Sequence, residues 1–349
     1  MSKIVCAVEY DFRNPADGFD MGLSSILSDP DIDVRFFTKS LKGDNPLPAN
    51  VLKDADTFIS YLRQVTKDSL EGANRLKWIG RFGAGFDNVD LATCTEKGIF
   101  VSNAPQGVWI SVSEITLGYM LSLTNKLKIF DQYIREKGFE GADAYKTRCL
   151  SGRTAGIVGF GGIGKKLAAL LSAFSMHVQA WDPFVDEEKF AAAGVKKVPL
   201  DTLLETSDYV SLNVPLLPTT RGMIGAKQLA KMKKSAFLIN TARGFVCDDA
   251  ALAEAIKNKT IAGAAVDVFG GEPNVADNPL ITLGPVDNLI LTPHVAGGGS
   301  FDAMTITGQK LAECVVRIKE GKFPINIVNP QASRDPVPPE CVTPSFVPK

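Results

Sequence analysis

Histidine is nearly absent from this chain: its 349 residues include two, His177 and His294. Cysteine is sparse as well. Cys6, Cys94, Cys149, Cys247, Cys314 and Cys341 lie far apart with no C-x-x-C pair, so the spacings of a zinc site or a disulfide framework are missing. We expect no metal, and a reducing, cytoplasmic compartment. Excess charge of either sign is missing too, since 38 Lys and Arg oppose 39 Asp and Glu for a formal net charge of −1. That balance leaves no electrostatic footprint for nucleic acid or an anionic membrane. No apolar run approaches the ~20 residues needed to span a bilayer. The start, Met1-Ser2-Lys3-Ile4-Val5, turns straight into strand-like sequence without a signal-peptide pattern. Glycine and proline are scattered and no heptad persists, which excludes collagen and coiled coil.

What is present is a β-then-α rhythm. At roughly 100–200 residues per domain the length suggests two domains. In the first hundred residues, β-branched or aromatic runs at Ile4–Val8, Val34–Phe37, Thr57–Ser60, Trp78–Gly80 and Ile99–Ser102 alternate with helical stretches such as Met21–Leu27 and Leu91–Lys97. A second series predicts six strands, at Ala155–Gly159, Val178–Trp181, Tyr209–Asn213, Ala236–Ile239, Ala264–Val268 and Leu289–Leu291. Runs of this kind joined by helices imply an α/β chain with doubly wound parallel sheets. After the first of the six, Leu167, Leu170, Leu171 and Phe174 form a helical packing stripe. Ser111–Leu123 is apolar around most of its circumference, which suits a helix buried at a domain or subunit interface. Ala303–Lys319 reads as a helix that returns the chain to the first domain. The segment from Pro330 holds six prolines and little apolar periodicity, and is expected to be a mobile tail or an arm lying on a neighbour.

Gly159-Phe160-Gly161-Gly162-Ile163-Gly164 follows a predicted strand and opens a predicted helix. A lone G-x-G-x-x-G says little, because glycines also mark ordinary turns. In this context the first glycine permits the tight turn, the second lets backbone approach a pyrophosphate, and the third lets helix pack on strand. The helix N-terminus offers unpaired N–H groups to the phosphates. Asp182 ends the next strand, 18 residues past Gly164, close to the spacing of a ribose-binding acid. A carboxylate there accepts from the ribose diol and repels a 2′-phosphate, and no Arg or Lys follows before Asp186. The cofactor expected is therefore NAD(H) rather than NADP(H).

Three more segments fall at carboxyl ends of predicted strands, where doubly wound sheets bind ligands. Arg243, in Asn240-Thr241-Ala242-Arg243-Gly244, can grip a carboxylate bidentately or make a surface ion pair. Asp267 ends an apolar strand and Glu272 follows in Gly270-Gly271-Glu272-Pro273; each alone could be a cap or a solvated turn. His294, in Thr292-Pro293-His294-Val295-Ala296-Gly297, falls at this same edge, whereas His177 precedes its strand. Imidazole exchanges protons near neutral pH, so His294 is the candidate acid and base.

Together with Phe82-Gly83-Ala84-Gly85-Phe86-Asp87-Asn88-Val89-Asp90, these motifs resemble the D-isomer-specific 2-hydroxyacid dehydrogenases from about residue 2 to 328. The resemblance implies two doubly wound domains, Rossmann-like and flavodoxin-like, separated by a cleft. The substrate domain would be 1–103 plus 298–330 and the NAD-binding domain 104–297, leaving 331–349 as a proline-rich tail. It implies that Arg243 binds the substrate carboxylate and polarises the 2-carbonyl. His294 would protonate the carbonyl oxygen as hydride arrives, and Glu272 would keep that imidazole charged. Ala84 and Gly85 would lend backbone N–H groups to the carboxylate, and Asp267 would orient the nicotinamide carboxamide. Cofactor contacts carry over to Gly159, Gly161, Gly162, Ile163, Gly164, Asp182, Val214, Pro215, Thr241, Ala242, Asp267, His294 and Gly297. Trp109 either lines a pocket for a bulky side chain or anchors a domain interface. The partner implied is a second copy of the chain, in a homodimer involving the helix from Ser111. Formate dehydrogenases carry glutamine at the position of Glu272. The phosphate-binding arginine of phosphoglycerate dehydrogenases would fall at Ser60, with Arg63 nearby. The 2-oxo acid itself is left open. The alternatives are an NAD(H)-sensing corepressor, as in relatives of C-terminal-binding proteins, and a sibling dehydrogenase acting on another small anion.

Overall fold

In the computed structural model of the chain, the residues described are 3–11, 21–38, 46–141 and 146–343. They divide into two compact units, Met1–Val108 with Gly297–Lys349, and Trp109–Ala296. The first passage between units falls inside the Gln106–Asn125 helix.

The first unit carries five parallel strands: β1 (Ile4–Tyr10), β2 (Ile32–Thr38), β3 (Thr57–Ser60), β4 (Trp78–Arg81) and β5 (Phe100–Asn103). Their order, β2-β1-β3-β4-β5, is the flavodoxin-like one. All four residues of β3 are buried, as expected of a strand covered on both faces. The Phe301–Lys319 helix lays Met304, Leu311 and Val315 into the cluster containing Cys6, Ile59 and Trp78.

Pro330–Thr343 is not the mobile tail that its composition allowed, because it is bonded to its own unit. Ile327 donates its N–H to the Cys341 carbonyl at 2.8 Å, and Thr343 donates back to the Ile327 carbonyl at 2.9 Å. Cys341 is buried, and the Thr343 hydroxyl reaches Asn103 Oδ1 at 3.3 Å. The prolines shape two short 3-10 turns, Pro330–Ala332 and Pro339–Cys341, that bring this bridge back to its own unit. Low apolar content misled because one buried cysteine and a few backbone bonds are enough to hold the segment. Residues 344–349 lie outside the described residues.

The second unit carries seven parallel strands: β6 (Thr154–Val158), β7 (His177–Trp181), β8 (Lys196–Lys197), β9 (Tyr209–Leu212), β10 (Phe237–Asn240), β11 (Gly263–Val266) and β12 (Leu289–Leu291). Their order is β12-β11-β10-β9-β6-β7-β8. The direction of winding therefore reverses between β6 and β9, the switch point at which such sheets bind ligands. The sequence missed β8, a two-residue lysine pair at the sheet edge. The packing stripe of the Gly162–Ala173 helix is also rotated from the one expected: it comprises Gly164, Leu167, Ala168 and Leu171, while Phe174 is exposed. The third loop glycine sets that face, because a Cβ there would collide with the Gly159 carbonyl.

The Gln106–Asn125 helix buries Val112, Thr116, Tyr119, Met120 and Leu123, while Ile115, Leu117 and Leu121 are partly buried. No helix among the described residues is long and apolar enough to cross a membrane.

Candidate active site

The glycine loop leaves β6 with Gly159 at φ +96°, a conformation open chiefly to glycine. A Cβ there would strike the Asn213 backbone after β9 and the Val214 side chain, so the loop sits tightly in the switch point. A Cβ at Gly161, by contrast, would meet nothing within 4 Å. Gly161 is also the N-cap of the Gly162–Ala173 helix, without a side-chain cap, so first-turn N–H groups are left for a ligand. Asp182, just past β7, accepts from the Phe160 N–H at 2.9 Å and the Phe184 N–H at 2.9 Å. The predicted ribose acid is thereby pinned to the glycine loop. These residues fit the pyrophosphate and ribose of a dinucleotide.

Val214 and Pro215 follow β9; Val214 is buried and Pro215 is exposed. Thr241 and Ala242 lie in the turn after β10, both buried, with the Thr241 hydroxyl 3.3 Å from that of Thr116. Trp109 packs its indole on Gly162, where a Cβ would overlap the ring. Ala84 and Gly85 belong to the other unit, in the loop after β4, where Asn103 donates to the Ala84 carbonyl at 2.7 Å. Gly297 is likewise assigned to that unit. Arg63 is buried there with its guanidinium 5.4 Å from the Phe37 ring centroid.

The proposed trio comes from three adjacent strands of the seven-stranded sheet. Asn240, buried at the end of β10, braces the Arg243 turn by accepting from the Ala242 N–H at 3.1 Å and donating to the Arg243 carbonyl at 3.2 Å. Gly244 then packs so closely on Phe269 and Gly270 that no side chain fits between them. This contact draws the arginine turn against the loop carrying Glu272. Glu272 Oε2 lies 2.7 Å from His294 Nδ1, and its Oε1 accepts the Phe269 N–H at 2.5 Å. Burial opposes the charged form of Glu272. The hydrogen bond and charge of His294, the Phe269 N–H and the nearby charge of Arg243 outweigh it, holding the carboxyl below its ordinary range. Guanidinium, carboxylate and imidazole thus form one electrostatic group, with the His294 side chain 44% exposed.

Asp267 holds the segment that carries His294. It is fully buried, and its Oδ1 accepts from the Thr292 hydroxyl at 2.6 Å and the Val295 N–H at 3.0 Å, its Oδ2 from the Ala296 N–H at 2.9 Å. Its carbonyl accepts the His294 N–H at 2.8 Å. These bonds organise the segment that carries His294, whose φ of +54° is a conformation costing a non-glycine residue roughly 1–3 kcal/mol. The carboxylate thus fastens this segment.

Sequence reading also missed three side chains that shape these loops. Asp249 accepts from the Gly270 N–H at 2.9 Å and the Asn278 amide at 2.7 Å, tying down the Glu272 loop. Glu9, buried at the end of β1, accepts from the N–H groups of Tyr61, Leu62 and Arg63 at 2.6–3.0 Å. Tyr119 bonds Thr292 at 2.6 Å. A lone acid ending an apolar strand, or a hydroxyl in an apolar helix, was the signal available for Glu9 and Tyr119.

Residues 117–296 match the family model described as D-isomer specific 2-hydroxyacid dehydrogenase, NAD binding domain. The chain belongs to this family. Its seven-stranded unit is accordingly an NAD-binding domain. The chain is 39% identical over 285 residues to D-3-phosphoglycerate dehydrogenase of Methanocaldococcus jannaschii, covering 80% of this chain and 52% of the relative. It is 36% identical over 288 residues to glyoxylate reductase of Korarchaeum cryptofilum, covering 80% of this chain and 84% of that one. The chain spans about half the length of the curated phosphoglycerate dehydrogenases it matches. Among solved structures it is similar to D-lactate dehydrogenase from Aquifex aeolicus complexed with NAD and lactic acid, with a TM-score of 0.78 at 28% identity, covering 91% of this chain and 96% of that one.

Proposed function

We propose that the chain is an NAD(H)-dependent oxidoreductase that interconverts a 2-oxo acid and a D-2-hydroxy acid. The observation carrying this reading is the 2.7 Å contact of His294 Nδ1 with Glu272 Oε2, within the electrostatic reach of Arg243. Arg243 holds the substrate carboxylate and polarises the 2-carbonyl. Glu272 accepts a hydrogen bond from His294 Nδ1–H and fixes the ring, which leaves Nε2 to hand a proton to the 2-oxo oxygen. In the opposite direction Nε2 takes the hydroxyl proton. The nicotinamide, when bound, supplies or takes up the hydride at C2 of the substrate.

Gly159, Gly161, Gly162, Ile163 and Gly164 cradle the pyrophosphate, and Asp182 favours NADH over NADPH. Val214, Pro215, Thr241, Ala242 and Gly297 add cofactor contacts. Asp267 orients the nicotinamide carboxamide and also holds the His294 segment. Ala84 and Gly85 add backbone donors to the substrate carboxylate, and Trp109 supports the glycine loop. The second copy in a homodimer is suggested by the partly buried Ile115, Leu117 and Leu121 together with the exposed Leu127 and Ile134 of the Leu127–Lys137 helix. Six unpaired cysteines accord with a reducing cytoplasm.

An NADH-oxidation screen over 2-oxo acids graded in side-chain size and charge tests the reading. Turnover on at least one supports it; none at all, with NADH bound, rejects it in favour of an NAD(H)-sensing binding protein or a dehydrogenase of another anion.

A further inference from the structure

The His294 segment is fastened from behind by a side chain of the Gln106–Asn125 helix. Tyr119 is 6% exposed, and its hydroxyl stands 2.6 Å from Thr292 Oγ1 and 3.4 Å from Asp267 Oδ1. Thr292 Oγ1 stands 2.6 Å from the same Oδ1. A threonine hydroxyl has one proton. If it is given to the buried carboxylate, the Tyr119 O–H must donate to Thr292 Oγ1, and the short bonds run in one direction from phenol to hydroxyl to carboxylate. Such chains strengthen one another in a dry interior. Burial pushes the Tyr119 phenol up to about 12, so it stays a neutral donor across the working range of an enzyme.

The far end of the chain is Asp267, whose carbonyl and carboxylate hold the N–H groups of His294, Val295 and Ala296. The groups it meets among the described residues (the Thr292 hydroxyl at 2.6 Å, the Tyr119 hydroxyl at 3.4 Å and two backbone N–H groups) are all uncharged. A buried carboxylate satisfied in this way depends on each of them. His294 sits at φ +54°, so a loosened Asp267 lets the backbone relax toward negative φ and carries the imidazole off Glu272.

We propose that Tyr119 is a positioning residue, which fixes the Thr292 hydroxyl on Asp267 and thereby keeps His294 in register with Glu272. The inference rests on the oxidoreductase reading for its effect on turnover, but not for its effect on the imidazole. Tyr119→Phe, made in the full chain, removes only the phenolic oxygen. With NADH and a 2-oxo acid the wild type reduces, the expected result is a fall in kcat of about tenfold, the size of one lost buried hydrogen bond. KM for NADH should stay within about twofold, and Thr292→Ser, which keeps the hydroxyl, should retain most activity. Histidine-ring NMR gives a second readout, because the chain has only two histidines: the His294 signals should shift and those of His177 should not. Loss of kcat with the NADH KM held and the His294 signals moved supports the proposal. A kcat within twofold of wild type, unmoved His294 signals, or equal losses in kcat and NADH affinity from general loosening each overturn it. A wild type inactive on every 2-oxo acid rejects the oxidoreductase reading alone, and the NMR comparison still decides the positioning role.

Discussion

Glu272 holds His294 Nδ1 with one carboxylate oxygen and the Phe269 N–H with the other, at 2.7 Å and 2.5 Å. The acid is thus fixed to its own loop before it fixes the imidazole, and a side chain held at both oxygens keeps its partner's ring from turning. Glu272→Gln preserves size and one acceptor but puts a neutral amide in place of the carboxylate against His294 Nδ1. Reduction of the 2-oxo acid should slow roughly 10–100-fold, with NADH binding retained, as measured by steady-state kinetics and fluorescence titration. A glutamine variant as fast as wild type would show that the charge does nothing.

Arg243 extends from a turn that Asn240 braces on both sides. Arg243→Lys keeps the charge but loses the planar fork, so the KM for the 2-oxo acid should rise roughly tenfold or more, together with a fall in kcat. The NADH dissociation constant should change little. A defect confined to NADH would move Arg243 out of the substrate site.

Asp182 is bonded to the Phe160 and Phe184 N–H groups and so cannot swing away from a 2′-phosphate. Asp182→Ala should narrow the ratio of kcat/KM for NADH over NADPH, chiefly by weakening NADH. A wild type faster with NADPH contradicts the assignment.

Much of this is legible in the amino-acid sequence. Each central strand is a short apolar run closed by turn residues, and the order of runs fixes which loops share the carboxyl edge. Arg243, Glu272 and His294 could therefore be grouped although they are far apart in sequence. What was hidden lies in contacts that composition does not encode. The lysine pair at 196–197 pairs only along an edge and has no apolar run to reveal it. Cys341 is buried by a backbone bridge inside a proline-rich segment. That Asp267 also holds the His294 segment shows only in the donors around it.

The seven-stranded sheet also carries an acid-sensitive fastening. Asp208, ahead of β9, accepts the Thr154 N–H at 2.9 Å and pairs with Lys233 at 3.1 Å. Burial raises its carboxyl, but these bonds and the charges of Lys233 and Arg153 bring it below the ordinary 3.8. A carboxyl lowered by folding contributes stability above its unfolded value and loses it as pH falls through the folded one. Asp208→Asn should cost about 1–2 kcal/mol near neutrality, and the gap to wild type should close below about pH 4. Denaturant unfolding at a series of pH values checks this; a gap constant down to pH 3 contradicts it.

The central claim is that one imidazole passes the proton that accompanies hydride transfer, and His294→Ala tests it most directly. Rates of NADH oxidation with the best 2-oxo acid should fall by about 10²–10⁴, while the variant still binds NADH and unfolds at nearly the wild-type temperature. A folded, NADH-binding His294→Ala variant that turns over at close to the wild-type rate would contradict the account.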